Sequence, residues 1–128
     1  MAKIAFILLC HKDSRSIIEQ ARCLAAAGDY VSIHFDAGGR RADFRAIREA
    51  LADNPNICFA RKRLKCGWGA WSLVQASLNA LQSAVETFAD AMHFYLISGD
   101  CQTIKTAEYA HHFLDQNDYD YIESFDFF

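Results

Sequence analysis

The sequence predicts an α/β fold in which helices cover both faces of a mostly parallel sheet. Short apolar runs alternate with amphipathic helical patterns in the order β-α-β-α-β-α-β-α-β, as in parallel strands joined by crossover helices. One run, residues 92–97, is apolar on both faces apart from His93, which is typical of a strand with a helix on each side. The 128 residues contain no linker or repeat, so residues 1–128 are predicted to form a single domain.

The composition argues against several classes of protein. The chain is 52% hydrophobic and 23% charged, which is typical of a packed globular domain rather than a disordered segment. A net charge of −3 gives no indication of nucleic-acid binding. The longest apolar run, residues 4–10, is too short to span a bilayer. We therefore expect no membrane span in this segment. Five widely spaced cysteines without a Cys-x-x-Cys pair favour reduced thiols, so we expect a cytoplasmic protein.

In the first half of the chain, three strand candidates alternate with two helices. The strands are predicted at residues 3–9, 30–35 and 57–60. Asp13 or Ser14 is expected to cap the first helix, and Gly28 is expected to end it. The second helix is predicted to begin at Asp43 and to end before a turn that contains the only proline of the chain.

The longest helix is predicted between the third and fourth strands. Ser72 and Gln75 form a capping-box pattern at its start, and the apolar pattern continues to about residue 88. The face expected to point towards the sheet consists of apolar residues at helical spacing: Leu73, Ala76, Leu78, Ala80, Leu81, Ala84 and Val85.

The remaining elements include the strand that we predict to be central. Residues 92–97 are predicted to form the middle strand, almost wholly buried, with Leu96 among the least exposed residues of the chain. A helix is expected to start at Thr106 or Ala107. A last short strand is predicted at residues 120–123.

Polar residues follow three of the predicted strands. We predict that the first strand lies between the second strand and residues 92–97. The ends of these three strands then meet where the strand order reverses. Open α/β sheets bind their ligands at this position. They bring together the following side chains and turn residues: His11, Asp36, Ser98, Gly99 and Asp100. Asp36 can accept hydrogen bonds from a ribose or a uracil-type ring, or it only caps the turn at Gly38 and Gly39. No G-x-G-x-x-G follows the first strand, which argues against a dinucleotide enzyme and leaves a nucleotide or nucleotide sugar held by other means.

Other candidate residues have plainer explanations. A metal site drawn from His34, Asp36, His11 and Asp100 is a weak signal, and a hydrogen-bonded core histidine is the favoured interpretation of His34. No metal is predicted. The basic run Arg61, Lys62, Arg63 and Lys65 is interpreted as solvated surface more readily than as a phosphate contact. Trp68 is the better functional candidate of the two tryptophans, since an indole in a polar crevice can stack on a sugar or base.

Five segments, spread over nearly the whole chain, together indicate a known family. They are residues 4–8 followed by His11-Lys12, Ile33-His34-Phe35-Asp36, Trp68-Gly69-Ala70-Trp71-Ser72-Leu73-Val74, Leu96-Ile97-Ser98-Gly99-Asp100 and Tyr121-Ile122-Glu123. In this order they resemble the core-2/I-branching β-1,6-N-acetylglucosaminyltransferases and their xylosyltransferase relatives. The sequence differs where the family often has a second glycine, at Ala70, and where it usually has Asp-Tyr/Phe-Pro, at residues 101–103. This difference suggests a divergent bacterial branch.

The resemblance implies a GT-A-type nucleotide-sugar-binding fold and a glycosyltransferase that inverts the anomeric carbon without a metal. It assigns Asp36 to the uridine part of the donor, and Trp68, Ser98 and Gly99 to the loops beside the donor. The family's catalytic carboxylate lies beyond Phe128, so the chain is expected to be the N-terminal, donor-binding portion, with Glu123 a weak candidate for the base. The expected partners are a UDP-sugar donor and a carbohydrate acceptor, with no separate cofactor and no nucleic acid.

Two other functions stay open on the sequence. One is a non-catalytic α/β module that uses the same crevice for a nucleotide or for an interaction partner. The other is a thiol-dependent enzyme that uses Cys10 or Cys101 with His11, although neither cysteine has a local nucleophile signature.

Overall fold

A computed structural model describes residues 3–67 and 69–121 and shows alternating strands and helices. The strands are β1 (Ile4–Cys10), β2 (Tyr30–Phe35), β3 (Ile57–Phe59) and β4 (His93–Ser98). The helices are α1 (Ser14–Ala26), α2 (Arg41–Leu51), α3 (Trp71–Thr87) and α4 (Ala107–Gln116). The predicted α/β class and the positions of these eight elements are confirmed within a few residues.

The four strands form one sheet in the order β3-β2-β1-β4, and all the pairs are parallel. β1 therefore lies between β2 and β4, as the predicted crevice requires. Leu8 of β1 pairs with Ile33 of β2 on one side and with Ile97 of β4 on the other. The fold is an α/β Rossmann-like fold with the strand order reversing between β1 and β4.

Helices cover both faces of the central strands, as predicted. On one face, Ile17 of α1 and Ile47 of α2 pack against Leu8 and Ile33. On the other face, Ala80 and other small residues of α3 pack against β1 and β2. The sheet thus has two separate apolar cores, one on each side, and β1 and β2 contribute side chains to both.

The prediction that residues 92–97 form the middle strand is wrong. Within the described residues, β4 pairs with β1 alone and lies at the edge of the sheet. Leu96 is 57% exposed and Tyr95 is 62% exposed, so the strand is not buried. The physical reason is the position of α3, which packs on β1, β2 and β3 and leaves the Leu96 side of β4 uncovered. The apolar run was a correct indication of a strand but not of a central one.

The predicted inward face of α3 is confirmed at its alanines but not at Leu78 and Val85. The helix buries Ala76, Ala80 and Ala84 against the sheet, whereas Leu78 and Val85 are about half exposed. Small residues let the helix axis approach the strands closely, and the larger apolar residues then lie on the outer side.

Three predicted helix starts have different outcomes. The capping box is wrong: α3 begins at Trp71, and the Ser72 hydroxyl accepts a hydrogen bond from the Gly67 amide instead of capping the helix. α2 begins at Arg41, two residues before the predicted start. The start of α4 is confirmed, with the Thr106 hydroxyl accepting a hydrogen bond from the Tyr109 amide.

Asp13 and Gly28 lie at the two ends of α1, as predicted. Asp13 occupies the N-cap position of α1, but its backbone is left-handed, with φ of 59°, and its side chain makes no capping hydrogen bond. Gly28 follows α1 with φ of 93°, a conformation that glycine adopts at little cost. Of the predicted last strand, residues 120–121 have no regular structure and residues 122–123 lie outside the described residues.

Candidate functional site

The carboxyl ends of β1, β2 and β4 form one continuous edge. The Asp36 amide, just past β2, donates to the Cys10 carbonyl at the end of β1 with a length of 2.9 Å. On the other side of β1, the Gly99 amide donates to the Leu9 carbonyl with a length of 3.0 Å. The turns that follow β2 and β4 are therefore fixed to the end of β1 by backbone hydrogen bonds. This arrangement brings the three predicted strand ends together.

A small cavity of about 60 Å³ lies between the ends of β1 and β4. His11, Ser98, Gly99 and Asp100 all line it, so the structure brings these four predicted site residues together. Pockets that enclose a whole drug-sized ligand are roughly 300–1,000 Å³. The cavity is therefore too small to enclose a ligand of that size.

Asp36 lies on the opposite side of β1 from this cavity, at the end of β2. Its Oδ1 accepts from the Gly38 amide at 2.6 Å, and its Oδ2 accepts from the Cys66 amide at 3.1 Å. The first contact is the turn cap that the sequence offered as the alternative role. The second contact, which the sequence did not reveal, attaches residues 64–67 to the sheet. A carboxylate has about four lone-pair sites, so two protein contacts leave acceptor capacity for a ligand.

His34 also holds the segment of residues 64–67 in place. Its ring is 1% exposed, and its Nε2 accepts from the Leu64 amide at 3.0 Å. Burial lowers the pKa of His34, which favours the neutral ring that this acceptor role requires. The Ala37 amide donates to the Leu64 carbonyl at 3.0 Å. The prediction of a hydrogen-bonded core histidine is confirmed, and the structure adds that His34 positions the loop leading to the predicted Trp68 site.

The family assignment rests on a match over nearly the whole chain. The model of the Core-2/I-Branching enzyme family matches residues 4–127. The chain belongs to this family. The resemblance seen in the sequence is thereby confirmed, while a bacterial origin stays a prediction.

A human protein gives a second comparison. Human beta-1,3-galactosyl-O-glycosyl-glycoprotein beta-1,6-N-acetylglucosaminyltransferase 3 is 22% identical to this chain over 103 residues. The alignment covers 80% of this chain and 24% of the human protein. The chain thus spans about a quarter of the length of this relative.

Several other sequence candidates in this family member have structural roles or fall outside the described part. Trp68 and Glu123 lie outside the described residues. Arg61 pairs with Glu86 at 2.8 Å, and the Arg63 guanidinium lies 3.8 Å from the centre of the Phe44 ring. The Arg63 side chain thus packs on an aromatic ring, whereas Arg61 is exposed and forms a surface ion pair. Lys62 and Lys65 are exposed.

The surroundings of Cys10 disfavour a role as a nucleophile. Its thiol is buried, donates to the His34 carbonyl at 3.8 Å, and has a pKa raised to about 12 by burial. The reactive form of cysteine is the thiolate, which such a pKa suppresses at neutral pH. Burial of the thiol therefore argues against Cys10 as the nucleophile of a thiol-dependent enzyme.

Two absences hold within the described part of the chain. Residues 3–67 and 69–121 contain no group of three or more His, Cys, Asp or Glu side chains arranged to hold a metal ion. No helix in the same ranges is both long and apolar enough to cross a membrane.

Gly39→Ala is predicted to destabilise the protein more than Gly99→Ala. A Cβ at residue 39 would lie 2.6 Å from a Phe35 ring carbon and 2.8 Å from the His11 carbonyl oxygen, and neither group moves freely. At residue 99 the nearest atom, also at 2.6 Å, is the terminal Cδ1 of the buried Ile17, a side-chain end that can shift more easily than a ring or a backbone carbonyl. We expect Gly39→Ala to lower the free energy of unfolding by about 1–3 kcal/mol in urea denaturation. Equal losses for the two variants would contradict the close contact between the 36–39 turn and β1.

Proposed function

We propose that the chain is the donor-binding portion of a glycosyltransferase. In this proposal the carboxyl edge of the sheet binds a UDP-sugar, and the sugar, N-acetylglucosamine or a related one, passes to an acceptor hydroxyl with inversion and without a metal. The observation that carries the proposal is the meeting of Asp36, His11 and residues 98–100 at one sheet edge in a member of the Core-2/I-branching family.

The geometry supports a division of the site into two parts on either side of β1. On the β2 side, Asp36 and the attached residues 64–67 offer a carboxylate next to a loop, which suits the hydrogen-bonding groups of a base and ribose. On the β4 side, the small cavity with His11 and residues 98–100 offers exposed polar groups, which suit the diphosphate or the sugar. A ligand that reaches both parts must cross the end of β1. A nucleotide sugar has the extended shape and the polar groups for this.

The proposal predicts weak binding of UDP to the 128-residue chain. Asp36, His11 and residues 98–100 lie in the described residues, whereas Arg61 pairs with Glu86 and Arg63 lies on the Phe44 ring, so these two arginines are not arranged together as a diphosphate clamp. Ligand-observed NMR with UDP, ADP and GDP measures the affinities, and we expect a dissociation constant near the millimolar range for UDP and weaker binding of the other two. A folded sample that binds none of the three at millimolar concentration would overturn the proposal.

Asp36→Ala is predicted to weaken UDP binding by about 1–3 kcal/mol, the range for a charge-assisted hydrogen bond. Because Asp36 also holds the Cys66 amide, Asp36→Asn is measured beside it: it retains the shape and one acceptor oxygen but removes the charge. Asp53→Ala, which removes an exposed carboxylate in the turn before β3, is the matched control and should leave the affinity unchanged. Equal affinities for wild type, Asp36→Ala and Asp53→Ala would leave Asp36 with only its structural role.

The alternative of a non-catalytic module is distinguished by turnover in the full-length parent protein. Release of UDP from a UDP-sugar in the presence of a carbohydrate acceptor supports the transferase. UDP binding without any release over a broad acceptor panel supports the module.

A further inference from the structure

The turn of residues 98–101 carries three of the candidate site residues but buries little surface. Ser98, Asp100 and Cys101 are exposed, and the turn follows the edge strand β4. Its own backbone closes with a hydrogen bond from the Cys101 amide to the Ser98 carbonyl at 3.1 Å. A turn with so little buried surface needs other contacts to keep one conformation.

One such contact comes from Gln20 on α1. Its Nε2 donates to the Cys101 carbonyl at 2.8 Å and, with a longer bond, to the Ser98 carbonyl at 3.4 Å. Both acceptors are carbonyl oxygens, so only the amide nitrogen of the side chain can make these contacts. The other amide atom, Oε1, is buried and has no hydrogen-bond partner among the described residues. The orientation of Gln20 is therefore set by the turn.

A second contact comes from the Cys101 thiol within the turn. Its Sγ lies 3.4 Å from the Ser98 amide nitrogen, which donates to it, and 3.4 Å from the Ser98 hydroxyl. Hydrogen bonds from Ser98 lower the pKa of Cys101, with the hydroxyl the largest cause. The sulfur thus orients the hydroxyl of Ser98, which lines the small cavity.

We propose that Gln20 and Cys101 are positioning residues that hold the turn of residues 98–101 in the conformation that binds the donor. Gln20 attaches the two ends of the turn to α1, and Cys101 fixes the rotamer of Ser98. Neither residue lines the small cavity, whereas both line the wider groove beside it. Preorganisation of this kind reduces the ordering cost of ligand binding, and its loss weakens binding. This inference rests on the proposed function, because it assumes that the donor binds at the turn.

The test compares Gln20→Met with Gln82→Met, its matched control. Methionine has a similar length and no donor, and Gln82 is an exposed residue of α3 whose side chain donates to Glu86 at 3.1 Å. We expect Gln20→Met to weaken UDP binding about three- to tenfold, the effect of losing roughly one hydrogen bond, and Gln82→Met to leave it unchanged.

Cys101 is tested by Cys101→Ala and by Cys101→Ser. Alanine removes both contacts with Ser98, so we expect a similar loss of UDP affinity. Serine keeps a donor and an acceptor at the same position, so it is expected to restore the affinity to within about twofold of wild type. Unfolding midpoints in urea are measured in parallel, because rescue by serine separates positioning from a general loss of stability.

A third readout does not depend on the ligand. The pH dependence of Cys101 alkylation gives the pKa of the thiol, and a loosened turn in Gln20→Met is expected to shift this pKa upward, while Gln82→Met does not. An unchanged pKa in Gln20→Met, or wild-type UDP affinity in both Gln20→Met and Cys101→Ala, would overturn the inference. If wild type binds no UDP, the proposed function fails, and the alkylation experiment still decides whether Gln20 holds the turn.

Discussion

Leu8→Ala is expected to lower the free energy of unfolding by about 2–5 kcal/mol, whereas Leu96→Ala is expected to lower it by less than about 1 kcal/mol. Leu8 is fully buried in the middle of β1, with helices α1 and α2 packed on its side of the sheet. Its truncation removes apolar contacts and leaves a cavity. Leu96 is 57% exposed on the edge strand, so the same truncation removes fewer contacts and leaves no enclosed space.

Urea denaturation of the two variants and the wild type provides the measurement, with the slope checked for two-state behaviour. The two substitutions delete the same atoms, so the difference between them reports the environment of the side chain. A loss above 2 kcal/mol for Leu96→Ala would mean that β4 is covered in solution, which would contradict its exposure in this fold.

The alternation of apolar runs and helical patterns was sufficient to predict the α/β class, because parallel strands and their covering helices both depend on local periodicity. The strand order was predicted only in part. An apolar run such as residues 92–97 indicates that a strand avoids water, but not which element covers it. The cover for β4 depends on where α3 lies, and this depends on the small residues Ala76, Ala80 and Ala84. These alanines were predicted to face the sheet, but the periodicity that places them there does not show which strands the helix covers.

The site was predictable to the level of strand ends and no further. His11, Ser98, Gly99 and Asp100 meet because parallel strands end at the same edge, which follows from topology alone. The hydrogen bonds that hold the site together join residues that are far apart in the sequence. Asp36 bonds to the Cys66 amide 30 residues away, and Gln20 bonds to the Cys101 carbonyl 81 residues away. No local pattern encodes such pairs, and a glutamine on an amphipathic helix gives no signal of this role.

His111→Ala is expected to lower the free energy of unfolding by about 3–5 kcal/mol, the range for breaking a buried polar pair by removing one partner. His111 on α4 and Asp29 before β2 are 3% and 1% exposed, and His111 Nε2 lies 2.7 Å from Asp29 Oδ1. The same carboxylate oxygen accepts from the Ile4 amide at 3.1 Å. The pair therefore connects α4 to the start of β1. Because the Asp29 carboxylate is buried, water cannot replace a hydrogen-bond partner that a substitution removes.

The neighbouring residue gives the matched control, since His112 is exposed and its replacement by alanine should change stability by less than about 0.5 kcal/mol. Asp29→Asn tests the other partner. It retains an oxygen that can accept from the Ile4 amide and the histidine, so its effect should be smaller than that of Asp29→Ala, which leaves both groups without a partner. Equal stabilities for His111→Ala and His112→Ala would mean that the buried pair does not hold α4 on the sheet.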